Sequence, residues 1–207
     1  MSTYPVVFFV TRPERFDRTQ LAVRILLLAA LSLLGLTLGA VMSAAYVALP
    51  LIAAVFLSQQ GHDRFGSEGA PRIGRALAWL LALFAYFFLL TDKLPLESSG
   101  PSTRLEIQPS GAPTVSSALL RLVTSIPSAL VFGLLICVAY FVWMVSALMI
   151  VLTEGYPAGL YDLQCGVLRW MARLFAYHAS LVDTYPPFSF DLGPVEVALP
   201  REARHGT

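Results

Sequence analysis

Four apolar segments alternate with short polar segments along the 207-residue chain. The first and third, Leu21 to Leu57 and Ala118 to Thr153, are the longest, and each contains one arginine and no other charge. The second runs from about Ile73 to Leu90, and the fourth, which is less apolar, runs from about Leu160 to Val182. A membrane-spanning helix needs about 20 predominantly apolar residues. The pattern therefore predicts an all-α membrane protein.

The two long segments exceed the thickness of a membrane. Each has about 36 residues, and one helix of that length extends roughly 54 Å, against a hydrocarbon core of about 30 Å. Each segment is either a tight hairpin of two spans or one long tilted helix with an interfacial lead-in. We favour the long helix, because neither segment has a Gly-Pro or Asn-Gly turn at its middle. Arg121 and Pro127 predict a break early in the third segment, Arg24 marks a similar lead-in in the first, and Pro50 predicts a kink.

The two halves of the chain share a pattern of residues in the same order. Leu83-Phe84-Ala85-Tyr86 recurs as Leu174-Phe175-Ala176-Tyr177, and a tryptophan, an aspartate and a proline keep the same spacing around it. We therefore predict two repeats, residues 1–98 and 99–191, followed by a tail of residues 192–207. The other matched pairs are Trp79 with Trp170, Asp92 with Asp183, Pro95 with Pro186 and, with small gaps, Gly61 with Gly155 and Arg24 with Arg121.

Each predicted repeat combines a long transmembrane helix with a second helix, which is amphipathic or transmembrane. Two spans return the chain to its starting side, so the repeats are parallel and the protein crosses the membrane four times. The N-terminus, the linker Lys93–Ser117 and the tail after Asp183 then share one side, which carries most of the basic residues. The positive-inside rule places this side and both termini in the cytoplasm, opposite the segments 61–75 and 154–168.

Short extended segments lie outside the predicted helices. Val6–Val10, Arg104–Ile107, Phe188–Phe190 and Val195–Val197 are rich in the β-branched and aromatic residues that favour strands. All of them fall on the predicted cytoplasmic side. Because unpaired strand edges promote aggregation, we expect these segments to pair into a small sheet there.

Composition supports the membrane interpretation and limits the function. The chain is 57% hydrophobic and 13% charged, whereas soluble domains are typically about 45–50% apolar and about 25% charged. A net charge of +1 gives no reason to expect a nucleic-acid partner. Cys137 and Cys165 lack metal-ligand spacing, and there is no Ser-His-Asp order, phosphate-binding loop or paired-cysteine motif. We predict no enzymatic activity, no cofactor and no metal.

Small residues mark one face of the first long helix. Gly35, Gly39 and Ser43 recur every four residues, a spacing that lets helix backbones approach closely in lipid. Gly133 and Cys137 form a similar pair in the third segment. These five residues are predicted to form a helix-packing interface, either between the two halves or with another copy or subunit.

The fourth segment carries a stripe of polar and small residues at helical spacing. One interpretation is an ion pathway or an anionic-lipid site, because charge at membrane depth is costly and often functional. The other is an interfacial helix whose arginines extend toward lipid phosphates. The stripe consists of Asp162, Gly166, Arg169, Arg173 and Ser180.

Four motifs stand out in the second half: Gly155 to Asp162, Val167 to Trp170, Ala176-Tyr177, and Asp183 to Phe188. These motifs resemble a bacterial membrane family catalogued as domain of unknown function 4389. The first half resembles it only through the repeat and through Arg12-Pro13-Glu14-Arg15-Phe16. Two features depart from the family pattern, since Gly155 replaces an arginine and Gly61-His62-Asp63-Arg64 replaces a Tyr-Pro loop. The resemblance implies a fold and no activity. The residues that carry it are Gly155, Tyr156, Pro157, Gly159, Leu160, Tyr161, Asp162, Val167, Leu168, Arg169, Trp170, Ala176, Tyr177, Asp183, Tyr185, Pro186, Pro187 and Phe188.

The expected function is that of a non-catalytic accessory or scaffold subunit in a complex of the bacterial inner membrane. Its expected partners are membrane lipids and other membrane-protein subunits or copies of itself. The alternative is a small transporter, channel or lipid-handling protein, in which the face with Asp162, Arg169 and Arg173 lines the path. The small size and the absence of catalytic motifs favour the first expectation.

Overall fold

A computed structural model describes residues 4–96, 102–187 and 190 of the chain. Within these residues two short strands and six helices form one mostly helical unit. A π-helical turn, Phe65–Gly69, joins the second and third helices. In chain order the elements are β1 (Val6–Val10), α1 (Arg18–Leu33), α2 (Leu38–Arg64), α3 (Ala70–Phe87), β2 (Thr103–Ile107), α4 (Val115–Thr124), α5 (Ile126–Thr153) and α6 (Ala158–His178).

The first apolar segment is two helices, so the prediction of one long helix from Leu21 to Leu57 is wrong. Helix α1 ends at Leu33, and Gly35 follows in a left-handed conformation with φ of 75°. The Thr37 side chain then accepts a hydrogen bond from the Ala40 amide and starts α2. Glycine adopts positive φ without steric cost, which is why the chain turns here. Gly35 therefore lies in a turn and does not share a helix face with Gly39.

The predicted break in the third apolar segment is confirmed. Helix α4 ends at Thr124 and α5 begins at Ile126, with Pro127 in its first turn. Proline is tolerated there because the first amides of a helix have no intrahelical acceptor. The Thr114 side chain and Ser117 form a reciprocal cap at the start of α4.

Two stretches are long and apolar enough to cross a membrane: Leu38–Phe87, which joins α2 to α3 through the π-helical turn, and Ile126–Thr153, which is α5. One face of α5 is exposed along its whole length, including Leu130, Leu134 and Leu148. Monomeric soluble proteins rarely expose continuous apolar surface of this extent.

Helix α6 is the most buried helix, although its sequence is less apolar than that of α5. Nearly every side chain from Gln164 to His178 is buried, and α6 contacts α5, α3, α2 and β1. It packs along α5, with Trp170 against Phe132. The helix that carries the polar stripe is therefore central to the described fold.

The two predicted strands pair antiparallel, from Val6 opposite Ile107 to Val10 opposite Thr103. The pairing of β1 and β2 is confirmed. Most of β1 is buried against α6, while β2 contacts α3. Ser189 and the segment Val195–Val197, also predicted as extended, lie outside the described residues.

The segment before α1 touches the loop after α5. The Phe16 amide donates to the Glu154 carbonyl at 3.0 Å, and the Arg12 guanidinium donates to the Tyr156 carbonyl at 2.6 Å. Arg18 pairs with Glu154 at 3.5 Å. The predicted four-span topology places a bilayer between these two segments, and residues in direct contact cannot lie on opposite sides of it. The contact is therefore incompatible with the four-span topology predicted from the sequence.

Candidate functional site

Arg24 lies on α1, and its buried side chain contacts three groups at the end of α3. Its guanidinium donates to the Thr91 carbonyl at 2.9 Å and to the Asp92 carboxylate at 3.1 Å, and it lies 4.3 Å from the centre of the Tyr86 ring. The other Asp92 oxygen accepts from the Asp17 amide at 3.0 Å, which ties the start of α1 into the same cluster. Burial raises the pKa of the Asp92 carboxyl, while the Asp17 amide and Arg24 act to lower it.

The same arrangement occurs at the end of α6. Arg121 donates to the carbonyls of Tyr177 and Val182, each at 2.6 Å, and to the carboxylate of Asp183. Its guanidinium lies 4.5 Å from the centre of the Tyr177 ring. We call the two sets, Arg24–Tyr86–Asp92 and Arg121–Tyr177–Asp183, the arginine clasps.

Each clasp closes a helix that ends on a residue with positive φ. Leu89 (φ 63°) follows α3 and Ser180 (φ 57°) follows α6. The amides of Leu89 and Leu90 donate back to carbonyls in the last turn of α3. The amides of Ser180 and Leu181 do the same in α6. Such a left-handed residue costs about 1–2 kcal/mol when it is not glycine. In each clasp the arginine binds a carbonyl just after this turn, that of Thr91 in the first and that of Val182 in the second.

Sequence reasoning matched the clasp residues in pairs but did not foresee that they bind each other. The signal was present, because an arginine and an aspartate recur in both halves with similar spacing. An arginine inside an apolar segment needs a partner of opposite charge. The aspartate that follows the second helix of each half was the candidate for that partner.

The predicted polar stripe does not lie in one environment. Asp162 is exposed, Gly166 and Ser180 are buried, and Arg173 is buried with its guanidinium 5.7 Å from the centre of the Tyr4 ring. Burial raises the pKa of the Tyr4 phenol. Arg169 donates to the Phe190 carbonyl at 3.5 Å. Arg173 thus faces the N-terminal segment and Arg169 faces Phe190, while Asp162 is open to solvent.

Two aromatic residues of the family motif lie in the core. Tyr156 is buried beside the rings of Tyr161 (5.4 Å) and Phe16 (5.6 Å), and burial raises its pKa to about 12. Trp170 is buried against Phe132. Their roles in the described structure are packing roles.

Other residues of the motif lie next to the two ends of α6. Pro157 immediately precedes the helix. At the other end, the Tyr185 hydroxyl contacts the Ser128 hydroxyl, Pro186 is buried and Pro187 is exposed. Phe188 lies outside the described residues.

An apolar cleft separates α2 from α5. One part, of about 410 Å³, lies between α1, α2 and α5, and an adjoining part of about 350 Å³ has α6 at its base. A Cβ atom added to Gly39 or Gly133 would meet no atom of another helix within 4 Å, so the long helices do not approach closely here. Cys137 is exposed on α5. The residues predicted as a packing face that line the cleft are Gly39, Ser43 and Gly133.

Among residues 4–96, 102–187 and 190, no three His, Cys, Asp or Glu side chains come together in a way that could hold a metal ion. The buried His178 donates its Nδ1–H to the Tyr46 carbonyl, 3.2 Å away, and its ring packs on the Tyr46 ring at 4.1 Å. Its contacts are those of a packed side chain between α6 and α2.

The described residues thus define a helical protein with two candidate membrane helices and a small antiparallel sheet. Residues 116–189 match the model of a family described as "Domain of unknown function (DUF4389)". The match supports the resemblance seen in the motifs and covers most of α4, all of α5 and α6, and the second arginine clasp. No curated protein and no solved structure matches the chain.

Proposed function

We propose that this chain is a non-catalytic accessory or scaffold subunit of a membrane complex and is embedded in the bacterial inner membrane. The observation that carries the proposal is the apolar cleft between α2 and α5, which is bordered by exposed apolar side chains. Its partners are membrane lipids and a transmembrane helix of another subunit.

The lining of the cleft suits a helix better than a polar substrate. Gly39, Ser43 and Gly133 leave the backbones of α2 and α5 uncovered, and small residues are the ones that permit close helix approach in lipid. The wall is completed by apolar and aromatic side chains such as Met42, Ile136 and Tyr140. None of the residues of the polar stripe on α6 lines this cleft.

We further propose that the chain contains two tandem copies of one unit. Arg24 and Arg121 stand 97 positions apart, as do the strand centres Phe8 and Leu105. The helix ends, the tyrosines and the aspartates of the two clasps stand 91 positions apart. Equivalent contacts at equivalent spacings support a duplication, because chance matches between apolar sequences would not also reproduce the clasp.

Purification in a mild detergent, followed by mass measurement, tests the scaffold proposal. A stable assembly with a second membrane protein is expected, and replacement of both Gly39 and Gly133 by Leu should release that protein by filling the cleft. Gly74→Leu is the matched control, because Gly74 lies on α3 with open space around it. A chain that purifies alone, or a double variant that retains the partner, would contradict the proposal.

Lipid handling is the second candidate, and the same cleft favours it. Its two parts are apolar and adjoin at Gly39, Met42 and Ile136, which suits an acyl chain. In that case the purified protein carries a defined lipid and no second protein. Mass spectrometry of the extracted lipids distinguishes the two functions, because the Gly39→Leu and Gly133→Leu pair then lowers the bound lipid while the mass of the protein assembly stays the same.

A further inference from the structure

We infer that the chain is a fused pair, in which residues 4–96 and 102–187 complete each other and hold together without the peptide link between them. This inference rests on the two tandem copies proposed above and adds that the two copies assemble with each other. The surface concerned is the one between the halves, and the partner of each half is the other half.

The sheet is the first observation, because each half supplies one strand of it. Among the described residues β1 pairs with β2 and neither has another partner. Beyond the strands, the Thr11 amide donates to Ser102 and the Gln108 amide donates to Pro5, both at 2.8 Å. A single strand leaves its backbone groups unpaired, so each half lacks a sheet until the other is present.

The strands and helices of the two halves also pack against each other. Strand β1 of the first half contacts α6 of the second, and β2 of the second half contacts α3 of the first. Likewise α4 contacts α2, and α1 contacts α5. These four contacts form two reciprocal pairs, because β1 corresponds to β2, α1 to α4, α2 to α5 and α3 to α6. Reciprocal contacts of this kind are typical of a dimer with two-fold symmetry.

Two aromatic side chains at equivalent positions each contact a helix end of the other half. Tyr46 on α2 places its ring on His178 at the end of α6, and its hydroxyl lies 2.8 Å from the Ser125 hydroxyl. Trp143 on α5 donates its indole N–H to the Phe87 carbonyl at the end of α3, at 2.8 Å. Tyr46 and Trp143 are 97 positions apart, and Phe87 and His178 are 91 positions apart, the same two spacings that relate the clasps.

The extent of the family match agrees with the inference of a fused pair. The matched residues, 116–189, lie wholly within the second half. A unit of that size contains α4, α5 and α6 but none of β1, α1, α2 or α3, against which these helices pack. The first half occupies the position that a second copy of the unit would take.

The test uses the full chain with a protease site inserted after Leu96, which is 74% exposed, and a tag at the C-terminus. After complete cleavage in mild detergent, verified on a denaturing gel, we expect the N-terminal fragment to elute with the tagged fragment in equal amounts. Elution of the two fragments apart would overturn the inference.

Disulfide cross-linking in the membrane complements the cleavage. The chain used carries Cys137→Ser and Cys165→Ala, so that only the introduced cysteines can react. Val10→Cys with Thr103→Cys places two thiols at directly opposed positions of the strands. After oxidation in the membrane and later cleavage, the two fragments should migrate as one band on a non-reducing gel. Val10→Cys with Ile107→Cys is the control, because these positions lie at opposite ends of the register. Absence of the first cross-link, or equal formation of both, contradicts the inference. Neither result depends on whether a second membrane protein or a lipid occupies the cleft.

Discussion

Arg24 and Asp92, 68 positions apart in the sequence, meet at 3.1 Å and join the start of the first long apolar segment to the end of α3. The Arg24 side chain is 1% exposed and that of Asp92 is 19% exposed. In the second clasp the Asp183 side chain is 59% exposed. The two clasps share their chemistry but differ in their access to solvent.

This difference predicts unequal losses of stability. Asp92→Asn leaves a buried guanidinium without its carboxylate and should lower the free energy of unfolding by about 3 kcal/mol. Asp183→Asn should lower it by about 1 kcal/mol, because solvent screens that exposed carboxylate. Denaturation of both variants in the same detergent measures the difference. Equal losses would show that the burial of Asp92 has no energetic consequence.

Gly111 lies against the second clasp, and its replacement should disturb it. Its φ is 85°, and an added Cβ would come within 2.6 Å of the Asp183 Cβ. Gly111→Ala should therefore lower the free energy of unfolding by about 2 kcal/mol, through a strained backbone and a displaced carboxylate. Gly66→Ala is the control, because Gly66 has negative φ and open space around it. Comparable melting temperatures for both variants would refute the prediction.

The contact between the segment before α1 and the loop after α5 predicts that both are reached from one side of the membrane. Arg15 and Asp162 are exposed near this contact, so Arg15→Cys and Asp162→Cys are suitable single labels in a background without other cysteines. An impermeant maleimide added to right-side-out and inverted vesicles should label both positions in the same preparation. Labelling in opposite preparations would restore the four-span topology predicted from the sequence.

The exposed apolar face of α5 predicts contact with hydrocarbon at Cys137. A spin label on this thiol, with Cys165→Ala, should collide more often with molecular oxygen, which partitions into lipid, than with a water-soluble nickel chelate. A label at Ser67→Cys, in the exposed polar segment after α2, should show the reverse preference when Cys137 is also replaced. A nickel-accessible Cys137 would exclude the membrane proposal for α5.

The sequence by itself determined the features that depend on neighbouring residues. The apolar content of α2 and α5, the break before Pro127, and the strands β1 and β2 all follow from local composition, since helix length, proline geometry and strand propensity act over a few residues. The recurrence of the arginines and aspartates was also visible, although their contact was not.

Only the tertiary structure decided which segments touch. Gly35 turns the chain where no recognised turn motif occurs, α6 is buried despite its arginines, and residues 12–18 lie beside the loop after α5. Helical periodicity shows which side chains share a face, but it does not show what covers that face. The cover of α6 includes β1, which is more than 140 residues away in sequence, and contacts of that range leave no local pattern to read.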